Sequence, residues 1–264
     1  QMGVALHAYH AGLNAFPPGF VSQLADPNWR LPSGDCTAAP RDLGPGWSFF
    51  ARMLPYLEQA NYYNHINFST PISADGNVSI RSQQVSIYRC PSDPGPSVTA
   101  VFDCGNPPSN SNDPVKILSD VASTSYVGSL GGARDGGDPL TGCYEHQPFN
   151  GIFHRNVSVR VSDITDGTSS TVGIGERYSG LVASAWAGIV VGQEVVYTAS
   201  LKPRPYNPSL PGCQNWRPAL VAMLAHSRQS SFNDPTGSTG QFYSPHAGGC
   251  HFLFMDGSTH FLNE

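Results

Sequence analysis

The sequence predicts a chain of few helices and many short strands, in the all-β or α+β class. Three observations point there. The 264 residues include 28 glycines and 23 prolines but only 12% charged side chains, the composition of a loop-rich β protein rather than of a helical bundle. Met2, Leu6 and Tyr9 fall at helical spacing at one end. At the other end, two apolar runs flank Asp256-Gly257, a dipeptide that tolerates the positive φ of tight hairpins. A chain of this length buries a sizeable core, and residues 1–264 are read as one domain with decorated loops.

The elements follow in order. Residues 1–13 read as helix, with Met2, Leu6, Tyr9 and Leu13 on one stripe and Val4 pointing away from it. Paired prolines before Gly19 stop it, because neither can continue the hydrogen-bond ladder. A loop is expected to about Gly46. Trp47 to Ile66 places Phe50, Met53, Leu54, Leu57, Tyr62 and Ile66 on an apolar stripe and is read as a helix kinked or divided at Pro55. Ser82 to Tyr88 is one more short element, Cys90 to Pro94 a turn, and the stretch to Pro114 a polar loop.

Ser125 to Leu130 alternates like a strand, and a loop runs from Ala133 to Asn150. Gly151–His154, Val157–Val161 and Ser170–Gly175 read as strands, Ala185–Val196 adds one or two, and Pro203–Pro218 is loop. Residues 251–262 form the terminal hairpin. With a two-residue Asp256-Gly257 turn, Met255 faces Ser258, Phe254 faces Thr259, Leu253 faces His260 and Phe252 faces Phe261. That register puts Phe252, Phe254 and Phe261 on one side of the ribbon, which is expected to be core.

Composition also narrows the partners. A net charge of -5 with no basic run offers no footprint for phosphates, so nucleic acid is not an expected partner. Six cysteines, at 36, 90, 104, 143, 213 and 250, lie far apart without a C-x-x-C pair. An even number in such a chain fits an oxidising compartment, and most are expected to be paired, tethering polar inserts at Cys36, Cys104, Cys143 and Cys213. The chain carries no apolar run long enough to span a bilayer. It lacks a G-x-S-x-G elbow, an H-E-x-x-H pair and a phosphate-binding G-x-x-x-x-G-K-[ST] loop. No enzymatic activity is expected.

The segments QMGVALHAYH, AFPPG, GWSFFARMLPYLEQANYYNHIN, YRCPSDP, SYVG, NGIF, DITDGTSSTVGIGER and SPHAGGCHFLFMDGSTHFL, in that order, resemble a large bacterial family. Its members begin with a prepilin-type cleavage/methylation segment and end in an H-x9-DG motif, here His246, Asp256 and Gly257. The family is sometimes filed with bacterial solute-binding proteins. The resemblance implies a type IV pilin-like or pseudopilin-like α+β fold, in which an N-terminal helix packs on an antiparallel sheet with long loop insertions and a C-terminal β-hairpin. It also implies an envelope or extracellular protein. Membrane attachment would run only through an upstream part of the helix, of which residues 1–13 are the end. Partners would be copies of the chain and other pilin-like subunits, meeting along Met2, Leu6, Tyr9 and Leu13. A structural, non-catalytic filament subunit is the first expectation. The alternative is a cell-surface binding module for a glycan or small solute.

Several side chains invite chemistry. His246 and Asp256 would share a metal or proton only if the nine intervening residues did not extend for roughly 30 Å, so Asp256-Gly257 is read as a turn and His246 as an orienting group. Asp163, Asp166 and Thr168 present the hard oxygen ligands calcium prefers, but without EF-hand spacing they are read first as turn residues, with calcium held open. No other cofactor is expected, and the metal, if there is one, is left open. His7 with His10, and His251 with His260, are weaker pairs, read as packing or solvent-facing. Glu176 and Arg177 are read as an ion pair or a catalytic acid, and the resemblance favours the structural pair. Trp29, Trp47, Trp186 and Trp216 offer either a sugar-stacking platform or core packing.

Overall fold

A computed structural model describes residues 1–24, 42–102, 117–132, 150–179, 184–190, 194–196, 216–218, 223–226, 232–234 and 240–264. Helix α1 (Met2–Leu13) opens it. Asn14 ends the helix in the left-handed region at φ 56, its N–H donating to the His10 carbonyl at 2.7 Å, a favoured way to satisfy a terminal carbonyl. The buried face is Gly3, Ala5 and Leu6, while Met2 and Tyr9 are half-buried, and Val4 (73%) and Leu13 (60%) are exposed. The predicted stripe is thus divided between this chain's own core and its surface. No helix among the described residues is long and apolar enough to cross a membrane.

Where a loop was expected, β1 (Phe20–Leu24) pairs antiparallel with β2 (Asp42–Ser48). The Gly-Pro-Gly of β2 reads as a turn in sequence, yet a Cβ at Gly46 would sit 1.9 Å from the Ile189 carbonyl oxygen. Glycine is there for close backbone approach, which lets Ile189 N–H donate to Gly46 O at 2.9 Å. Trp47 therefore belongs to a strand, not to the helix predicted over 47–66. That helix is three short pieces: α2 (Phe49–Met53), a 3₁₀ turn at Leu54–Leu57 and α3 (Ala60–Asn64). Ser48 caps α2 by accepting from Ala51 N–H at 3.3 Å, Pro55 starts the 3₁₀ turn, and Glu58 at φ 60 breaks the axis before α3. The short α4 (Val78–Arg81) and a 3₁₀ turn at Ser86–Tyr88 follow.

The remaining strands are β3 (Val98–Phe102), β4 (Ile117–Thr124), β5 (Tyr126–Gly131), β6 (Val172–Glu176), β7 (Ser184–Ala185), β8 (Glu194–Val196), β9 (Trp216–Pro218), β10 (Leu224–His226), β11 (Gly249–Phe254) and β12 (Thr259–Asn263). They form two five-stranded sheets, ordered β10-β5-β6-β11-β12 and β7-β4-β3-β8-β9. All pairings are antiparallel except β10 with β5. The chain is α+β. β3 and β9 lie in stretches expected to be loop, because sheet pairing supplies what their sequences do not advertise. Conversely, Gly151–His154 and Val157–Val161 make only isolated bridges. Asn156 turns the chain there at φ 55, and its side chain exchanges hydrogen bonds with the Ser22 backbone.

The terminal hairpin forms, one residue out of the predicted register. Leu253 faces Thr259, Phe252 faces His260, and His251 faces Phe261. Phe254 N–H donates to Ser258 O and Gly257 N–H to Phe254 O, each at 2.9 Å, so the loop has three residues, with Gly257 at φ 89 as the bulge. A one-residue slip moves side chains to the other face. Phe261 is accordingly 41% exposed on the face opposite Phe252, whereas Phe254 stays on the Phe252 side, half-buried against the same cluster. Both faces of β11 are nonetheless used. Cys250 and Phe252 pack with Val127 and Phe242, whereas Leu253 and Met255 join the larger core of Leu6, Phe16, Trp47, Phe49, Phe50, Met53, Tyr88, Phe153 and Trp186. Trp47 and Trp186 are fully buried and form no sugar platform. α1 crosses this second face: a Cβ on Gly3 would lie 3.0 Å from Leu253 Cδ1 and 3.1 Å from the Gly257 carbonyl oxygen.

Candidate functional site

Three chain segments converge where α1 begins over the β6–β11 face. The first is the Cys90-Pro-Ser-Asp93 turn, closed by Asp93 N–H donating to Cys90 O at 3.0 Å. The Asp93 carboxylate is buried and accepts from Gly95 N–H (3.0 Å), Ser125 Oγ (2.8 Å), Ser179 N–H (3.3 Å) and Ser179 Oγ, with Arg89 Nη1 3.5 Å away. These bonds tie the turn to the β4–β5 junction and to the segment after β6, which fixes the position of Cys90.

Glu176, the last residue of β6, supplies the second segment. Its carboxylate is buried, 4% exposed. Oε2 accepts the His251 backbone N–H at 2.8 Å and lies 3.3 Å from His251 Nδ1. Oε1 lies 3.4 Å from His246 Nε2. His246, on the third segment before β11, also stands 3.6 Å from Cys90 Sγ. The Cys90 sulfur, a Glu176 oxygen and a His246 nitrogen all fall within 4.8 Å of one another. The His246 and His251 rings meet edge to face at 5.4 Å.

This cluster forms one wall of a cleft of about 440 Å³, whose other walls include Met2 and Val4 of α1, Tyr126, Leu253 and Thr259. Burial, with Cys90 and Glu176 nearby, pushes the Tyr126 phenol up to about 12. Sulfur, imidazole nitrogen and carboxylate oxygen are the donor types of a transition-metal site.

His246 is thus one residue of the expected motif that does meet other functional groups, but not Asp256. Asp256 is fully exposed at the hairpin turn. Its carboxylate accepts from Ser258 N–H at 2.9 Å and Ser258 Oγ at 2.6 Å, and these bonds hold it below the usual carboxylate range. In the loop read as a turn with calcium held open, Asp163 accepts from Arg160 N–H at 2.9 Å and Asp166 takes a long bond from Thr165 Oγ1 at 3.5 Å. Thr168 uses its carbonyl to receive Asp256 N–H at 3.1 Å. The loop therefore braces the hairpin turn.

His7 and His10 pack their rings on Phe16. His251 and His260 project from opposite faces of the hairpin, since His260 faces Phe252 and bonds Ser258 Oγ at 2.9 Å. Glu176 and Arg177 do not pair as expected, because successive strand residues face opposite ways. Arg177 donates to the carbonyls of Gln241 (3.1 Å) and Leu224 (3.2 Å) on the far side. Among the described residues, Cys90 and Cys250 are free thiols. Cys36, Cys104, Cys143 and Cys213, expected to bridge loops, lie outside the described residues, as does Trp29.

Sequence reading did not single out Cys90 as a partner of Glu176 and His246. The available signal was a polar Cys-Pro turn and an acidic residue at the end of an apolar strand, neither of which states its partner. Fold and cleft together define an α+β protein with a mostly apolar cleft beneath its first helix, bearing a few convergent polar groups. The chain belongs to the family described as a protein of unknown function (DUF1559, SBP_bac_10), which matches residues 1–264. No curated protein and no solved structure matches the chain.

Proposed function

We propose that this chain is the extracellular, non-catalytic head of a pilin-like envelope protein that assembles through α1 with copies of itself and with other pilin-like subunits. The observation supporting this reading is the outward side of α1. The helix contains no Asp, Glu, Lys or Arg and docks on the core by Gly3, Ala5 and Leu6, yet Val4 and Leu13 stay exposed. Apolar side chains on an uncharged helix suit packing against like helices in a head-to-tail assembly that propagates. The ordered resemblance to prepilin-type proteins points the same way.

The test is expression of the full-length gene in a bacterial host with a matching prepilin peptidase and assembly machinery, followed by electron microscopy of sheared surface material. Filaments containing the protein, lost when Val4 is replaced by Glu, are the expected result. Membrane-bound monomers with no filaments would contradict it. A second reading, a surface binding module for a small solute or glycan, draws support from the 440 Å³ cleft and its convergent polar groups.

A further inference from the structure

We propose that Cys90, Glu176 and His246 form a three-ligand binding site for a zinc-class divalent cation, with the fourth coordination position open to the cleft. The donor set of one sulfur, one imidazole nitrogen and one carboxylate oxygen selects zinc over calcium or magnesium, which take oxygen ligands.

The spacing fits as well. Ligands about 2.3 Å (sulfur) and about 2.05 Å (nitrogen) from a tetrahedral zinc stand about 3.6 Å apart, and a nitrogen and an oxygen at about 2.05 Å each stand about 3.4 Å apart. Cys90 Sγ to His246 Nε2 is 3.6 Å, and His246 Nε2 to Glu176 Oε1 is 3.4 Å. The third pair, Cys90 Sγ and a Glu176 oxygen, lies within 4.8 Å, so binding needs at most a small inward shift of one donor.

Two features hold the donors in place. Glu176 Oε2 is engaged by His251 through both backbone N–H and Nδ1, which leaves Oε1 aimed at His246. His251 is thereby a positioning residue, an outer partner that orients a metal-binding carboxylate. Cys90 is fixed by the turn that Asp93 anchors. Three protein ligands plus one open position is the arrangement of zinc sites that receive water or an exogenous ligand, rather than of closed structural sites. Cation binding uses the thiolate, so the Cys90 S–H proton leaves to solvent as the Zn–S bond forms. Cys250, the other free thiol described, bonds Asn233 Oδ1 at 3.0 Å, and burial pushes its thiol up, away from ligation.

The test titrates chelator-stripped protein with zinc against a chromophoric chelator, and with cobalt(II) by absorption spectroscopy. One equivalent should bind, and cobalt should give a thiolate charge-transfer band with the strong d–d bands of four-coordination. Cys90→Ser and His246→Gln should each weaken zinc at least about 100-fold and Cys90→Ser should abolish the thiolate band. Cys250→Ser should leave both unchanged. Absence of binding, a cobalt spectrum without the thiolate band, or affinity retained in both Cys90→Ser and His246→Gln would overturn the proposal. The wild-type cobalt spectrum decides even if a variant misfolds.

Discussion

The segment from His246 to Gly257 has two polar ends that behave differently. At one end, Asp256 finds its partners two residues away, in Ser258, and stays in water. At the other, His246 meets Glu176 and Cys90, which are 70 and 156 positions distant in sequence. A polar group satisfied inside its own turn shapes the backbone. One satisfied only by distant segments brings those segments together, and it can do so for chemistry. The strand between them, β11, sets the distance by packing Phe252 into one core and Leu253 into the other.

The largest expected effect lies in that strand. Phe252 contacts Phe232 and Phe242 at ring distances of 5.1 Å each and is almost fully buried. Phe252→Ala should destabilise the chain by about 3–5 kcal/mol, whereas Phe261→Ala, on the exposed side, should stay within about 0.5 kcal/mol. Denaturant unfolding of the two variants checks the register, and equal losses would restore the two-residue turn.

Next is the turn itself. Gly257→Val forces a β-branched residue to φ 89 beside Gly3 of α1 and should lower stability by about 1–3 kcal/mol. Zinc affinity measured on the same folded protein should be unchanged, because the turn and the His246 end are separate in role. A parallel loss of zinc binding would join the two ends.

At the cleft, His251→Ala should barely move the melting temperature but weaken zinc about 10- to 100-fold, the usual consequence of removing an outer partner of a ligand. An unchanged affinity would leave Glu176 oriented by the backbone N–H alone.

The smallest effect concerns pH. Hydrogen bonds from Ser258 depress the Asp256 carboxyl, so its contribution is present above the unfolded value of about 3.9 and lost as pH falls through the lower folded value. Asp256→Asn should remove that part of the acid dependence of the melting temperature and leave the neutral-pH cleft alone.

Much of the fold was legible because it rests on local signals. The paired prolines stop α1, Asp256-Gly257 mark the hairpin, β5 carries apolar alternation and β6 has strand propensity. Elsewhere tertiary contact overrode the local pattern, or the local pattern fitted two geometries. Gly46 looks like a turn residue until the Ile189 backbone lies against it, and Glu58 divides a continuous apolar stripe. The hairpin register slipped because a three-residue loop and a two-residue loop share the same Asp-Gly signature. His246 was visible as a motif residue, but its partners were not, since nothing in the spacing of Cys90, Glu176 and His246 announces that two turns and a strand end meet.

The most direct measurement is a crystal structure of zinc-soaked protein with anomalous data across the zinc absorption edge. A single strong peak is expected about 2.3 Å from Cys90 Sγ and about 2.0–2.2 Å from His246 Nε2 and a Glu176 oxygen, with the fourth position facing the cleft and none at Asp256. A cleft without a peak, or zinc held only at Asp256 or the 163–168 loop, would contradict it.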